Sequence, residues 1–598
     1  MIARYTHYAI TFALTAFTSV LCVGQNHKTN WDTSNTSHAT HSALRVGMWT
    51  LWHDHEVAVA STGHTTIKFC ERCPSQPLPQ TAMIYAVRSG GLLILIGERA
   101  AHTSSLSIDG GVTLKAHGEM ESLSHLITIR AQDGVLALSV ALPVETYVEQ
   151  VVASESAPLE SLESLKALAV VVRTYAMHEA RGHTNYDVCD STHCQLLHWH
   201  VQPQRRAAAH AATLATSAET LWFDGSRASA YFNKDCGGRS ASPTELWPRG
   251  KAVPYLDSHT DRYCAQGGSE KWATELTRSE LSTALSVHKL AATGWQHIVV
   301  ERRGSSGRVV TLRVDGFQVS AEDFRIAVGE SLGWNQIPST WFEVSQQGDR
   351  FLFHGHGWGH GVGLCQKGAS VMAAQGKSSA EILAQYFPGA YTADESTGHA
   401  WNQWTGPGFT LETLDSTDSL YLRDLARARA EAAERSGLNT DSQIVLRAFA
   451  STPSFRSATL APGWIAAFTE GDWIATQPLK TLSERHLLAD TLRHEFLHVL
   501  VEKNAGARSP LWLREGLVEL WTATSSAEAG ILTRIPTMPP DAVNVVLAHS
   551  ETGLQSAQAH KDAAIHTARV IKRYGRAQVL EWLRSGIPAW VLAGPVQR

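Results

Sequence analysis

Charge is scarce in this 598-residue chain: Asp, Glu, Lys and Arg make up 18% of it, against a usual ~25%. Neither sign dominates, since 51 basic and 56 acidic residues give a net charge of -5. That excludes a strongly basic nucleic-acid binder as the default reading. A hydrophobic fraction of 43% excludes a charge-driven disordered chain. No nucleotide-binding glycine loop, phosphate-binding motif or internal repeat stands out. Beyond the first residues, no run is long and apolar enough to span a membrane. There are eight cysteines (Cys22, Cys70, Cys73, Cys189, Cys194, Cys236, Cys264, Cys365).

The length alone suggests roughly four domains at about 150 residues each. The chain opens MIARYTHYAITFALTAFTSVLCVGQNH, in which Arg4 precedes an uncharged apolar run, Tyr8 to Val23. This reads as an export signal over 1–24, removed near Gln25. The protein is then expected in the periplasm or cell envelope, without a transmembrane span, and seven cysteines remain. An exported compartment permits disulfides, and Cys70 and Cys73 (CERC) offer a tight disulfide or half a metal site. Residues 25–42 are polar and read as a disordered linker. From 43 to 142, short alternating runs such as LLILIG and HLITIRA are separated by glycine turns, the pattern of a β-rich segment. The period then changes: ETYVEQVV and LESLKALAVVVRTYAMHEA carry helical spacing, with Leu162, Leu165, Ala169, Val172 and Ala176 on one face and Pro158 where a helix can begin. WNQWTGPGF (401–409) reads as a linker, and 410–598 as mainly helical, with helices over 417–436, 483–504, 510–523 and 556–585.

Three clusters carry chemistry in the front half. Glu155, in VVASESAPLE, sits between two helical segments; desolvated there, it could donate a proton near neutral pH, although a capping glutamate has the same pattern. HTNYDVCDSTHC places His183, Cys189, His193 and Cys194 together. These four suit a closed tetrahedral zinc site, and Cys189 and Cys194 equally suit a disulfide. FHGHGWGHGVGLCQKGA (353–369) alternates glycines with His354, His356 and His360 around Trp358, a sugar-binding floor or a structural loop.

Read together, LPVETYVEQVVASE, SLKALAVVVRTYA, YDVCDSTHCQ, YFNKDCGGRSAS, HGWGHGVGLCQKGA and ILAQYFPGA resemble the stage II sporulation protein D family, which includes the amidase enhancer LytB. The resemblance runs over 120–392. It implies a peptidoglycan lytic transglycosylase, cutting the MurNAc–GlcNAc β-1,4 bond of glycan strands freed of stem peptides. It makes Glu155 the acid/base, favours a mainly structural zinc at His183, Cys189, His193 and Cys194, and places Arg173, Tyr175, Asn233, His356, His360 and Gln366 against the glycan. Three positions depart from the family's habit. Asn233 stands where histidine is usual, Ser156-Ala157-Pro158 follows the glutamate in place of Met-Pro, and Cys365 replaces a serine.

A second motif lies in the last third. In HEFLH, His494 and His498 fall four apart on a helix and can share a zinc, with Glu495 placed to take a proton from a water held there. SPLWLREGLVELW follows, where Ser509 and Pro510 suit a helix start and Glu515 and Glu519 share a face. HEFLH…PLWLREGLVEL resembles the gluzincin metallopeptidases, particularly the peptidase MA-like group. That resemblance makes Glu515 the third ligand of a catalytic zinc, Glu519 its support and Tyr574 a candidate oxyanion donor.

The fold expected is therefore multidomain α+β: a β-rich segment (43–142) and a mixed catalytic core (143–392) forming a glycan-directed domain over 43–400, then a mainly helical zincin-like domain. The function expected is an exported two-enzyme wall protein carrying one zinc in each half and bound to peptidoglycan glycan strands. Two alternatives differ in class: a glycan-binding enhancer of a cell-wall amidase, and a zinc peptidase whose front half targets the wall.

Overall fold

The computed structural model describes residues 8–11 and 43–592, apart from 79–80, 89, 158–159, 179–182, 248–249, 251, 463, 524–530, 532 and 550–551. The chain divides into two compact units: His41–Gly398, and His399–Arg598 together with Met1–Thr40. Within the expected leader, Tyr8–Thr11 forms an edge strand antiparallel to Ile465–Glu470; the rest of it, like the 25–42 linker and Pro158, lies outside the described residues.

The front unit begins with two antiparallel-rich sheets, of six and seven strands. Side chains on a strand alternate between faces, and the inward ones (Val57 and Val59, Ile84, Ile94, Leu114, Ile127 and Ile129, Leu138 and Val140) meet in a single core. Cys70 and Cys73 are joined as a disulfide, so that pair is not half of a metal site. Strand Val135–Pro143 runs straight into helix Val144–Glu155. Pro143 sits in extended backbone immediately before the first turn.

The next helix, Leu162–Met177, lies deeper than a one-sided pattern suggests. Every residue from Ala167 to Val172 is at most 1% exposed. A helix apolar all round is one surrounded by protein. Later in the unit, two three-stranded antiparallel sheets (Lys271–Thr277, Phe342–Gln347 and Arg350–His356; Ile298–Arg303, Val309–Val314 and Phe317–Ser320) pack with helices Arg278–Val287 and Ala321–Leu332 around a core of their own. Strand Arg350–His356 delivers the chain into the glycine–histidine loop.

The second unit is rich in helices but is built on a sheet that the sequence did not suggest. It holds a six-stranded mixed sheet, in which Phe409–Thr413, Ile444–Ala448 and Trp473–Thr476 run parallel and Asn402–Gly406 and Ile465–Glu470 pair antiparallel to their neighbours. Residues 401–409 are thus largely an edge strand and its turn, not a linker. The strand residues Ile444, Leu446, Ile465, Ala467 and Ile474 are at most 1% exposed. A strand buried on both faces reads as a short apolar run without alternation, which is why the sequence concealed it. The helices follow: Leu422–Ser436, Leu488–Asn504, Leu511–Thr522, Gly553–Tyr574 and Arg576–Ser585, the last two broken at Gly575 with φ 84°.

Candidate active and metal sites

Glu155 is the last residue of its helix, whose Val144, Tyr147, Val148, Val151 and Val152 are anchored in the core. The carboxylate is half-buried and accepts a hydrogen bond from the Leu196 N–H at 3.2 Å. Burial pushes its pKa up to about 7, and the Leu196 bond offsets only part of that rise.

The segment bearing that amide is tied to the same helix. The His198 N–H donates to Ser154 Oγ at 2.8 Å, Tyr147 OH donates to Gln195 Oε1 at 2.9 Å, and Gln150 Nε2 donates to the Trp199 carbonyl at 3.2 Å. Immediately upstream lie His183, Cys189, His193 and Cys194, whose ligand atoms all fall within 4.8 Å of one another. Cys189 and Cys194 are not joined to each other. His183 Nε2 is 3.3 Å from Cys194 Sγ, and His193 Nδ1 is 3.7 Å from both sulfurs. Two thiols and two imidazoles converging in this way fit the donor set of a closed tetrahedral zinc site. Such a site would brace the loop whose next residues, Gln195 to Trp199, touch the glutamate helix.

The glycine–histidine loop is wound through left-handed backbone at Gly357, Gly359, Gly361 and Gly363. At Gly361, φ is 82°, and an added Cβ would lie 2.4 Å from Arg308 Nη2. Only glycine meets both demands without strain. The Val362 N–H donates to His360 Nδ1 at 3.0 Å, and burial holds His360 down to about 4, so the ring is neutral near pH 7. His360 packs on Trp247 (ring centroids 5.4 Å apart) and Tyr231 (6.3 Å), and Tyr231 meets Tyr175 at 6.1 Å. Tyr231 and Trp247 were not singled out from the sequence; they belong to one aromatic cluster with Tyr175 and His360. His356 packs on Trp341 at 4.0 Å.

Two of the residues expected to touch glycan have other work. Arg173 is fully buried, paired with Glu145 at 2.5 Å and donating to the Glu219 and Thr213 carbonyls. It joins the two central helices to the following strand and has no surface to offer a ligand. Asn233 is buried and donates to the Val362 and Leu364 carbonyls, both at 3.2 Å, so it braces the glycine–histidine loop from behind. Gln366, 7% exposed, opens helix Gln366–Ala374.

In the second unit His494 and His498 face the same way from helix Leu488–Asn504, their Nε2 atoms 2.9 Å apart. Glu515, on helix Leu511–Thr522, reaches to 3.8 Å from His498 Nε2. All three are at most 2% exposed. Glu515 Oε2 and Glu495 Oε1 are buried and find no hydrogen-bond partner among the described residues. Burial pushes Glu495 up to about 8 and Glu515 up to about 7. Two imidazoles and an orphaned carboxylate oxygen fit a three-ligand zinc site. Thr469 donates to Glu495 from the neighbouring strand.

His560, on helix Gly553–Tyr574, completes the cluster, 3.5 Å from Glu515 and 3.2 Å from Glu519. A lone histidine 45 residues beyond Glu515 carries no local spacing signal. The helices approach closely because Gly516 lies between them; a Cβ there would fall 2.1 Å from Thr567 Oγ1 and 2.4 Å from the Ala563 carbonyl. Tyr574 packs with Trp582 and Trp590 at 5.1 and 5.9 Å, where it serves the helix-end core.

The front unit is thus an α+β scaffold presenting one half-buried glutamate beside a Cys/His loop. Residues 132–223 match the stage II sporulation protein (SpoIID) family, and residues 256–363 match a domain of unknown function, DUF8618. The chain is 30% identical over 284 residues to an uncharacterized protein of Brachyspira hyodysenteriae, covering 46% of this chain and 73% of that one. It is 26% identical over 268 residues to stage II sporulation protein D of Bacillus subtilis (42% of this chain, 75% of the relative). Against the amidase enhancer of Bacillus subtilis, identity is 23% over 284 residues, 38% of each chain. The front unit thus carries a SpoIID family domain over residues 132–223.

Proposed function

We propose that the front unit is an exported peptidoglycan lytic transglycosylase with Glu155 as its acid/base. The observation that carries this reading is a single carboxylate held near pKa 7 at a helix end. Ordinary glycoside hydrolysis uses two carboxylates and a water; intramolecular closure needs one. Protonated Glu155 donates to the bridging oxygen as the C1–O4 bond breaks. The resulting carboxylate then takes the proton of the MurNAc C6 hydroxyl as that oxygen bonds to C1. The products are a free 4-hydroxyl and a 1,6-anhydro end, no water is consumed, and Glu155 is protonated again. Tyr175, Tyr231, Trp247 and His360 offer the aromatic faces on which sugar rings stack.

The test is mass spectrometry of products from stem-free glycan strands. We expect 1,6-anhydro ends from wild type and at least about a hundredfold loss in Glu155→Gln, the usual scale for a removed general acid. Reducing ends instead would mean hydrolysis. Binding without cleavage would favour an enhancer of a cell-wall amidase, the activity named for one relative.

The convergence of His494, His498 and Glu515 favours a second activity, a zinc peptidase in the back unit. The three residues would hold the ion, which when bound polarises a peptide carbonyl and acidifies water. With the charge of the ion beside it to favour its ionised form, Glu495 would accept the proton of the attacking water and pass it to the leaving amine, while His560 orients Glu515 and Glu519. Glu495→Gln should abolish peptide cleavage while keeping the metal.

A further inference from the structure

The front unit holds another concentration of metal-ligating side chains, outside both sites above. Cys236, Asp261, Cys264 and Cys365 are all 0% exposed, and their ligand atoms lie within 4.8 Å of one another. They come from three separate stretches. Cys236 follows strand Phe232–Asn233, Cys264 lies in helix Arg262–Gln266 just after Asp261, and Cys365 ends a strand parallel to the first. None of the three cysteines is in a disulfide. Three is an odd number, so any pairing among them would leave one thiol buried alone.

The surroundings hold these donors in place. Asp261 Oδ1 accepts from the Tyr263 and Cys264 N–H groups at 3.0 Å each, and Oδ2 accepts from Tyr386 OH at 2.9 Å. The Cys236 N–H donates to Cys365 Sγ at 3.3 Å, and Cys236 Sγ donates to Asp261 Oδ2 at 3.3 Å. Gly368 leaves room for this packing, since a Cβ there would sit 2.8 Å from Asp261 Oδ2. Fully buried Arg308 donates to the Cys236 carbonyl at 2.9 Å, which puts a compensating positive charge against an anionic cluster. Outer partners of this kind orient metal ligands.

We propose that Cys236, Cys264 and Cys365, with Asp261, hold a structural zinc ion distinct from that assigned to His183, Cys189, His193 and Cys194. Thiolate sulfur selects zinc over hard cations, and a three-sulfur, one-oxygen set closes a tetrahedron. Binding releases the three thiol protons to solvent. Because Cys365 ends the glycine–histidine loop and Cys236 follows Asn233, the ion would fasten that loop to the strand behind it.

The test uses the full chain and needs no activity. Zinc per chain is counted by elemental mass spectrometry for wild type, Cys264→Ser and Cys365→Ser. We expect each serine variant to lose one zinc, and Cys70→Ser to lose none. Cobalt replacement in wild type supplies a readout independent of folding in the variants. Its sulfur-to-cobalt absorption should correspond to five Co–S bonds per chain, two from Cys189 and Cys194 and three from this cluster. An unchanged zinc count with a two-bond absorption would overturn the proposal. So would an intact-mass and peptide map showing two of Cys236, Cys264 and Cys365 joined as a disulfide.

Discussion

Glu155 makes the pH behaviour of the front unit calculable in sign. Its pKa rises on folding from an ordinary 4.5 to about 7, so the folded chain binds that proton more tightly than the unfolded one. The stabilising contribution is complete below about pH 4 and fades as pH climbs through 7. Glutamine carries no charge to desolvate. Glu155→Gln should therefore match wild type in Tm near pH 4 and exceed it near pH 8, as followed by calorimetry. Glycan cleavage should fall above pH 7, where the acid form disappears; a rate that kept rising to pH 9 would remove Glu155 from the acid's role. Arg173 shows the opposite economy. Its charge is buried with Glu145, and breaking such a pair from one side leaves an uncompensated charge, at a cost of about 3–5 kcal/mol. Urea unfolding of Arg173→Met should show a loss of that size, and the double variant Glu145→Gln/Arg173→Met should recover part of it. The arginine's motif position suggested glycan contact. Only the packing of two helices and the 219–223 strand around it reveals a brace.

At the scale of elements, the helices around Glu155 were legible because their apolar residues recur at helical spacing, and the Cys/His loop was legible because its four ligands lie within twelve residues. The strands of the back unit were not. Runs such as Ile444–Ala448 and Ile465–Glu470 are short and buried on both faces, so neither alternation nor length betrays them. The cysteine trio escaped for a related reason: its members are spread over 130 residues and meet only when two strands pair. The glycine–histidine loop tests how tightly such an element is specified. At Gly361 an alanine meets a left-handed backbone and the Arg308 guanidinium together. Gly361→Ala should lower the unfolding free energy by roughly 1–3 kcal/mol, the range for strained backbone of this kind. Gly376, also left-handed but with open space around its Cβ position, provides the control. Gly376→Ala should cost less.

At the scale of the molecule, each of the two compact units has its own hydrophobic core and its own proposed site. The glutamate that would cut glycan is fixed by a helix rooted in the front core. The histidine pair that would bind a catalytic zinc is fixed by helices rooted in the back core. No residue assigned to one site is drawn from the other unit. Two such sites should fail separately. Glu155→Gln should abolish glycan cleavage and leave peptide cleavage within about twofold of wild type, and Glu495→Gln should do the reverse. Metal removal gives a different pattern, because both units would carry zinc. A chelator should stop peptide cleavage at once through the open three-ligand site. It should act more slowly on glycan cleavage, where the proposed ions are closed in by four protein ligands each and support the loops around Glu155 without touching the reacting bond. Parallel time courses on the two substrates after adding chelator would check this. Loss of both activities from either single substitution would mean that the two activities share one catalytic device and would sink the two-site reading.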